Sequence, residues 1–371
     1  MMLISISTGL GLQKTIQNKV SSFFGHITIS NFQNNSSQLS RNPVSIEQDF
    51  YLNNNINDIN HIQSVAYKSG VILTDTDFEG IVFKGINDDF NFKIFSQHMV
   101  EGKIPNINNS VTREVIISKY LSKRLKLKLN QKLKVSFLNT NSSIPSERNF
   151  KISGIYNTGL NEFDEMYIIG DIKHIQLINN WETNQIGSFE IFINDYDKMK
   201  QVSSQLYEIS SSNLDVIDIS QKFFEIFNWI ALFDMNILLI IVIMILVSGI
   251  NMITALIVTI LEKSKLIGVL RVVGSTKSSL RNIFLINGVY LISTGLFFGN
   301  VIGLVMIFFQ KTTGFVELNP ETYYVSVVPV DINLFNIILL NFGIIFFCFL
   351  MLIIPSYIIN RISPTDSLKI N

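Results

Sequence analysis

Cysteine is nearly absent from this chain. The single one, Cys348, lies inside an apolar run, so no intramolecular disulfide is possible and the thiol reads as a small packing group. Histidine is scarce too. His26, His61, His98 and His174 are scattered without ligand spacing, and no metal site is expected. Charge is thin, at 16% of residues against roughly 25% in an average soluble protein. The 29 basic residues balance the 29 acidic ones, so net charge selects no class of partner. There is no Walker A phosphate loop; the nearest segment, Gly268 to Lys277, has the wrong order and spacing. A nucleophile elbow and a paired-carboxylate signature are also missing. Asp75 with Asp77, and Asp88 with Asp89, read as turn residues. No catalytic residue, metal ligand or directly bound cofactor is expected, and the chain is not expected to be an enzyme.

Charge vanishes altogether from three stretches: Met235 to Leu261, Asn282 to Gln310 and Ile332 to Asn360. Each exceeds the roughly 20 residues a helix needs to cross about 30 Å of hydrocarbon, so each is read as a transmembrane helix. Between the first two lies Leu261 to Arg281, LEKSKLIGVLRVVGSTKSSLR. Its apolar Leu266, Ile267, Val269, Leu270, Val272 and Val273 recur at near-helical spacing. Lys263, Lys265, Arg271, Lys277 and Arg281 stand against Glu262 alone. By the positive-inside rule this loop is cytoplasmic. From composition it can lie on anionic lipid or grip a cytosolic partner, and both readings stay open.

A cytoplasmic loop there puts residues 20 to 225 on the outer side. The apolar start, MMLISISTGLGL, is about 18 Å long as a helix, too short to span, and lacks a signal peptide's basic region. Met1 to Gly11 is therefore expected to be the outer half of a first transmembrane helix whose inner half is not in this sequence. Lys14 to Phe24 continues it amphipathically, with Ile16, Val20, Phe23 and Phe24 on one face.

Strand patterns follow from Gly25 (GHITISN), at Val65 to Leu73, Gly80 to Ile86, Leu133 to Leu138, Phe150 to Tyr156, Met166 to Ile169, Phe189 to Ile193 and Asp215 to Ile219. Helices are expected over Ile46 to Ile56, Val115 to Leu125, Asp171 to Asn179 and Tyr196 to Ser210. Asn139 to Glu147 is turn-rich and predicts a hairpin tip. This alternation indicates a mixed α/β domain of two lobes. The expected organisation has a first-span remnant and exit over 1–24, then the outer α/β domain over 25–220. A stalk plus transmembrane helix covers 221–261, the basic loop 262–281 and a second full span 282–310. A short outer loop over 311–331, a last span over 332–360 and a cytoplasmic tail over 361–371 complete it. Gly295, Gly299 and Gly303 repeat every four residues and predict a face for close helix packing, within one subunit or between two. Pro355 is expected to bend the last span.

Three segments resemble one family. LEKSKLIGVLRVVGSTKSSLRNIFL resembles the cytoplasmic loop of the FtsX-like, MacB-type ABC permeases, through Glu262, Lys263, Ile267, Gly268, Leu270, Arg271 and Gly274. GLGLQKTIQNKVSSFFGHITI resembles that family's exit from its first span, with Lys19, Gly25, His26 and Ile27 in place. The closing PSYIINRISPTDSLK resembles its tail, with Pro355, Arg361, Pro364 and Leu368. The first-span exit and FKISGIYNTGLNEFDE point to the LolC/LolE lipoprotein-releasing branch.

The resemblance implies an α-helical membrane protein, a four-span permease with its first span truncated and a large mixed α/β periplasmic domain between spans 1 and 2. It implies an inner-membrane location and a cytosolic ABC ATPase partner that uses ATP and Mg²⁺. It further implies a second permease copy or paralogue, a lipoprotein substrate and a periplasmic lipoprotein chaperone; nucleic acid is not expected. The basic loop would be the coupling helix. Gly268 and Gly274 would allow close backbone approach, Leu266, Ile267 and Leu270 would fill a cleft, and Arg271 would pair with a carboxylate. A hairpin over Phe137 to Phe150, with Pro145 and Arg148, resembles the family's chaperone-recruiting hairpin. Export of a peptide or drug, or mechanical activation of a cell-wall hydrolase, are the alternatives within the same architecture. An intramembrane enzyme is disfavoured, because the spans carry no ionisable pair.

Overall fold

In this computed structural model the described residues are 1–34, 39–52, 56, 58–74, 77–108, 110–138 and 145–356. They fall into two compact units. A helical unit holds Met1–Lys14, Trp229–Glu317 and the chain from Val327 on; an α/β unit holds Thr15–Asn228 and Leu318–Ser326. Two helices contribute residues to both units, α1 (Met2–Phe24) and the 39-residue α9 (Phe224–Glu262).

The α/β unit contains strands β1 (Ile27–Asn31), β2 (Val44–Ser45), β3 (Ile59–Leu73), β4 (Phe78–Ile86), β5 (Met99–Gly102) and β6 (Glu114–Ser118). They are followed by β7 (Lys132–Phe137), β8 (Ser146–Tyr156), β9 (Tyr167–Asp171), β10 (Gln185–Ile186), β11 (Ser188–Ile193) and β12 (Leu214–Asp218). One sheet runs β12-β1-β11-β3-β4-β9-β6-β8-β5, with β7 paired to both β3 and β8; β2 and β10 pair separately. The strands expected to divide between two lobes thus share one sheet. Around it lie short helices: α2 (Asp49–Leu52), α3 (Phe92–Phe95), α4 (Lys119–Arg124), α5 (Asn161–Asp164), α6 (Lys173–Asn179), α7 (Met199–Ile209), α8 (Ile219–Lys222) and α12 (Pro320–Tyr323).

Three expected helices are changed by tertiary demands. Over Ile46 to Ile56 the described residues keep only the four of α2, because the chain before it is tied down: β2 pairs with β10, and Ile46 donates its N–H to Asn184. Val115 to Leu125 begins as β6, whose Val115, Ile116 and Ile117 are fully buried between β8 and β9. An apolar run covered on both sides is a central strand whatever its helical spacing. Ser118 then caps α4, its Oγ accepting the Leu121 N–H at 3.0 Å. The helix expected from Gln221 is broken at Phe223 (φ −116°, ψ 49°), whose buried ring packs 4.8 Å from Phe24 and 5.3 Å from Phe163.

α1 ends where its amphipathic pattern says it should. Ile16, Val20, Phe23 and Phe24 are all buried. Gly25 stops the helix at φ +73°, and a Cβ there would sit 3.0 Å from the Ile191 backbone, so only glycine fits. Below this end lies a buried ion pair. Lys84 reaches both Glu190 carboxylate oxygens at 2.9 Å and also donates to the Phe23 carbonyl in the last turn of α1. Glu190 accepts further from Tyr67 Oη and from Gln63 Nε2 at 2.7 Å. Burial pulls the Lys84 ammonium down and the Glu190 carboxylate draws it back up.

The helical unit adds α10 (Ser264–Val272), α11 (Lys277–Thr313) and α13 (Leu334–Ser356). Among the described residues α9, α11 and α13 are long and apolar enough to cross a membrane; α1 is not one of the three. Most of their length is exposed, as lipid-facing helices require. Asn300 of α11 donates to Asn341 of α13 at 2.8 Å, an interhelical hydrogen bond of the kind that orders membrane helices. The first part of α1 joins this unit. Ser7 exchanges two hydrogen bonds with the Asp331 backbone, and Lys14 pairs with the Asp331 carboxylate at 3.2 Å.

Replacing Glu190 by Gln should leave Lys84 buried without an anion and cost about 3–5 kcal/mol. Denaturant unfolding of the purified chain measures this, and a loss below about 1 kcal/mol would refute the assigned role. Burial also pushes His26 and His98 down to about 4, below the 6.5 of an unfolded chain. The unfolded state then binds more protons between those values, so stability should fall as pH drops from about 6.5 to 4. His98→Gln should flatten the slope of thermal midpoint against pH in that window.

Candidate functional site

The basic loop folds as a short helix between two long ones. α9 ends at Glu262, Lys263 interrupts the helix (φ −94°, ψ 10°), and α10 follows. α10 closes with paired C-terminal hydrogen bonds, Ser275 N–H to Leu270 O at 2.9 Å and Gly274 N–H to Arg271 O at 3.2 Å. This places Gly274 at φ +104°, the left-handed region that disfavours a side chain. Thr276 caps α11, its Oγ1 accepting the Ser279 N–H at 3.2 Å.

The apolar residues of α10 split between two faces. Ile267 and Gly268 are buried, and Leu270 is partly so. Ile267 packs into a cluster with Leu256 and Ile260 of α9, Leu280 and Phe284 of α11, and Cys348 and Leu352 of α13. Leu270 packs against the same cluster, so two of the residues expected at a partner contact also touch the chain's own core. Leu266, Val269, Val272 and Val273 point the other way, 48% to 79% exposed. Leu266, Val269 and Val272 follow one another at i, i+3 spacing and form a ridge. Glu262, Lys263, Lys265 and Lys277 are exposed around it, and Arg271 is half-buried. Such a ridge, ringed by ammonium groups, complements an apolar groove with an acidic rim. Val269 and Val272 were not in the expected contact set. Their spacing was visible, but so was that of Ile267 and Leu270, and packing alone chose between the two stripes.

The other expected residues fare differently. The glycine stripe is divided. A Cβ on Gly303 would lie 3.1 Å from Leu3, whereas Gly295 and Gly299 have nothing within 4 Å of theirs. The hairpin is present as the antiparallel pair β7–β8, in register from Lys132↔Lys151 to Phe137↔Ser146. Phe137 and Phe150 anchor it against Phe83, and Lys134 pairs with Glu147 at 2.9 Å. Pro145 is exposed just before β8 and Arg148 is half-exposed opposite Val135; residues 139–144 lie outside the described residues. Pro355 lies in α13, while Arg361, Pro364 and Leu368 of the tail lie outside the described residues. No group of three or more His, Cys, Asp or Glu side chains able to hold a metal occurs among the described residues.

Residues 238–364, the segment carrying α10 and two of the long apolar helices, match the family model described as FtsX-like permease C-terminal. That segment of the chain is therefore similar to the C-terminal part of FtsX-like permeases, and it carries helices long and apolar enough to cross a membrane. The particular likeness is to LolC. The chain is 24% identical to the "Lipoprotein-releasing system transmembrane protein LolC" of Buchnera aphidicola subsp. Schizaphis graminum, over 99% of this chain and 89% of that protein. It is 20% identical to the LolC of Neisseria meningitidis serogroup B, over 61% of this chain and 56% of that one. Among solved structures, the periplasmic region of MacB from Actinobacillus actinomycetemcomitans aligns with 52% of this chain and 87% of its own, at 14% identity and a TM-score of 0.36.

The two faces of α10 should answer differently to the same change. Ile267→Asp buries a carboxylate among apolar groups and should lower stability by several kcal/mol. Leu266→Asp, on the exposed face, should stay within about 0.5 kcal/mol of the parent. Thermal unfolding of the two variants checks this, and equal losses would refute the assignment of faces.

Proposed function

We propose that this chain is the permease subunit of an ABC transporter that releases lipoproteins from the inner membrane. The similarity to LolC along nearly the whole chain carries this reading. The α/β unit would lie on the periplasmic side, α10 on the cytoplasmic side, and the start of α1 would belong to a first membrane span. A separate cytosolic ATPase, working with ATP and Mg²⁺, would receive α10. Leu266, Val269 and Val272 would enter its apolar cleft, and Lys263, Lys265 and Arg271 would meet its acidic rim. Glu262, Ile267, Gly268, Leu270 and Gly274 would hold α10 in shape for that contact. The active unit would be a dimer with a second copy or a paralogue. The lipoprotein's acyl chains would leave through an apolar surface of the spans towards a periplasmic chaperone, recruited by the β7–β8 hairpin with Pro145 and Arg148 as contacts.

Depletion of the protein followed by separation of the two membranes tests the reading. Outer-membrane lipoproteins should accumulate in the inner membrane. The parent chain should restore their sorting, and Leu266→Asp/Val269→Asp, inserted at equal level, should not. Normal arrival of lipoproteins at the outer membrane during depletion would overturn the release function.

A further inference from the structure

A second site lies within the α/β unit. It is a cleft of about 740 Å³ bounded by α1, α4, the turn after β8, the segment before β5 and the stretch around α12. Three lysines face it: Lys19 from α1, and Lys119 with Lys123 from one face of α4. The one acid in its lining, Asp164, is 3% exposed and fully engaged. Its Oδ1 accepts from Thr158 N–H at 3.0 Å and Thr158 Oγ1 at 2.9 Å, and its Oδ2 accepts from Gly159 N–H at 3.0 Å. His98 adds no charge, because burial and the neighbouring Lys19 push it down to about 4. Among the described residues neither Lys119 nor Lys123 has a carboxylate within ion-pair distance.

Lys19 is positioned rather than loose. Its Nζ donates to the Tyr324 carbonyl at 3.0 Å, leaving protons for a further acceptor. Gly159, at φ +69°, leaves room for it, since a Cβ there would sit 2.7 Å from the ammonium. Asn18, Asn157 and Asn161 bring amide donors to the same cleft. An excess of cations with converging amides in a concave wall is a field that concentrates anions.

We propose that this cleft binds a phosphate group through Lys19, Lys119 and Lys123, and that the group is the headgroup phosphate of an anionic lipid. Chain connectivity favours the lipid over a free ion. Thr15, Pro320 and Ser326 line the cleft, and each lies within a few residues of where the chain passes to or from the helical unit. Where the helical unit enters a membrane, lipid headgroups are the phosphates present at such crossings, and clustered lysines attract the anionic ones. The inference does not depend on what the permease releases.

The test uses the full chain in zwitterionic detergent, titrated by calorimetry with short-chain phosphatidylglycerol and, separately, with inorganic phosphate. Three proteins are compared: the parent, Lys119→Gln/Lys123→Gln, and the charge-matched Lys132→Gln/Lys151→Gln on exposed positions of β7 and β8. The parent and the β7–β8 variant should bind the lipid alike, and the α4 variant at least about tenfold more weakly. Inorganic phosphate should compete only weakly. Equal binding by parent and α4 variant would overturn the site, and equal weakening of both variants would show unspecific charge attraction and overturn it too. Phosphate binding as tight as lipid binding would overturn the lipid source.

Discussion

One buried cation organises the α/β unit. The Lys84 ammonium, from β4, ties Glu190 of β11 to the last turn of α1 through the Phe23 carbonyl. It lies over the Phe23 and Phe24 rings at 4.8 and 5.2 Å. Tyr67 and Gln63 bring β3 to the same carboxylate. A charge removed from water is tolerated only when its partners are in place, so the network is stable in one arrangement of helix and strands. The end of α1 is thereby held at a fixed point, and the rest follows from that point. Gly25 turns the chain, His26 donates its N–H to Ile191, and β1 enters the sheet between β11 and β12.

The same logic, in apolar form, shapes α10. Ile267 is held by residues of α9, α11 and α13, and this inward anchor turns Leu266, Val269 and Val272 outward. A helix of nine residues has little stability by itself. Its rigidity comes from the anchor, from the Gly274 turn and from the Thr276 cap. The exposed ridge is thereby held on a support that three long helices share.

The lysine cleft shows how a turn can set a field at a distance from its own charge. Asp164 spends its oxygens on Thr158 and Gly159 and disappears from solvent, while its backbone carbonyl accepts from Ser118 at the start of α4. The turn that fixes the floor of the cleft and the helix that supplies two of its lysines are therefore one construction.

Much of this was legible from residue patterns alone. Uncharged runs longer than a bilayer core mark α9, α11 and α13, because hydrocarbon excludes charge regardless of the fold around it. The four-residue repeat of buried positions marks the second half of α1, and alternation marks most strands. Gly25 and Gly274 could be singled out, although only the backbone angles show that both are required by left-handed turns. Tertiary structure decided the rest. It made Val115 to Ile117 a strand, because a segment buried on both faces needs ladder hydrogen bonds from neighbours remote in sequence. It turned Ile267 and Leu270 inward, because two apolar stripes on one helix are equivalent until something packs against one of them. It also brought Lys19, Lys119 and Lys123 to one cleft, a charge cluster that residues a hundred positions apart form only in space.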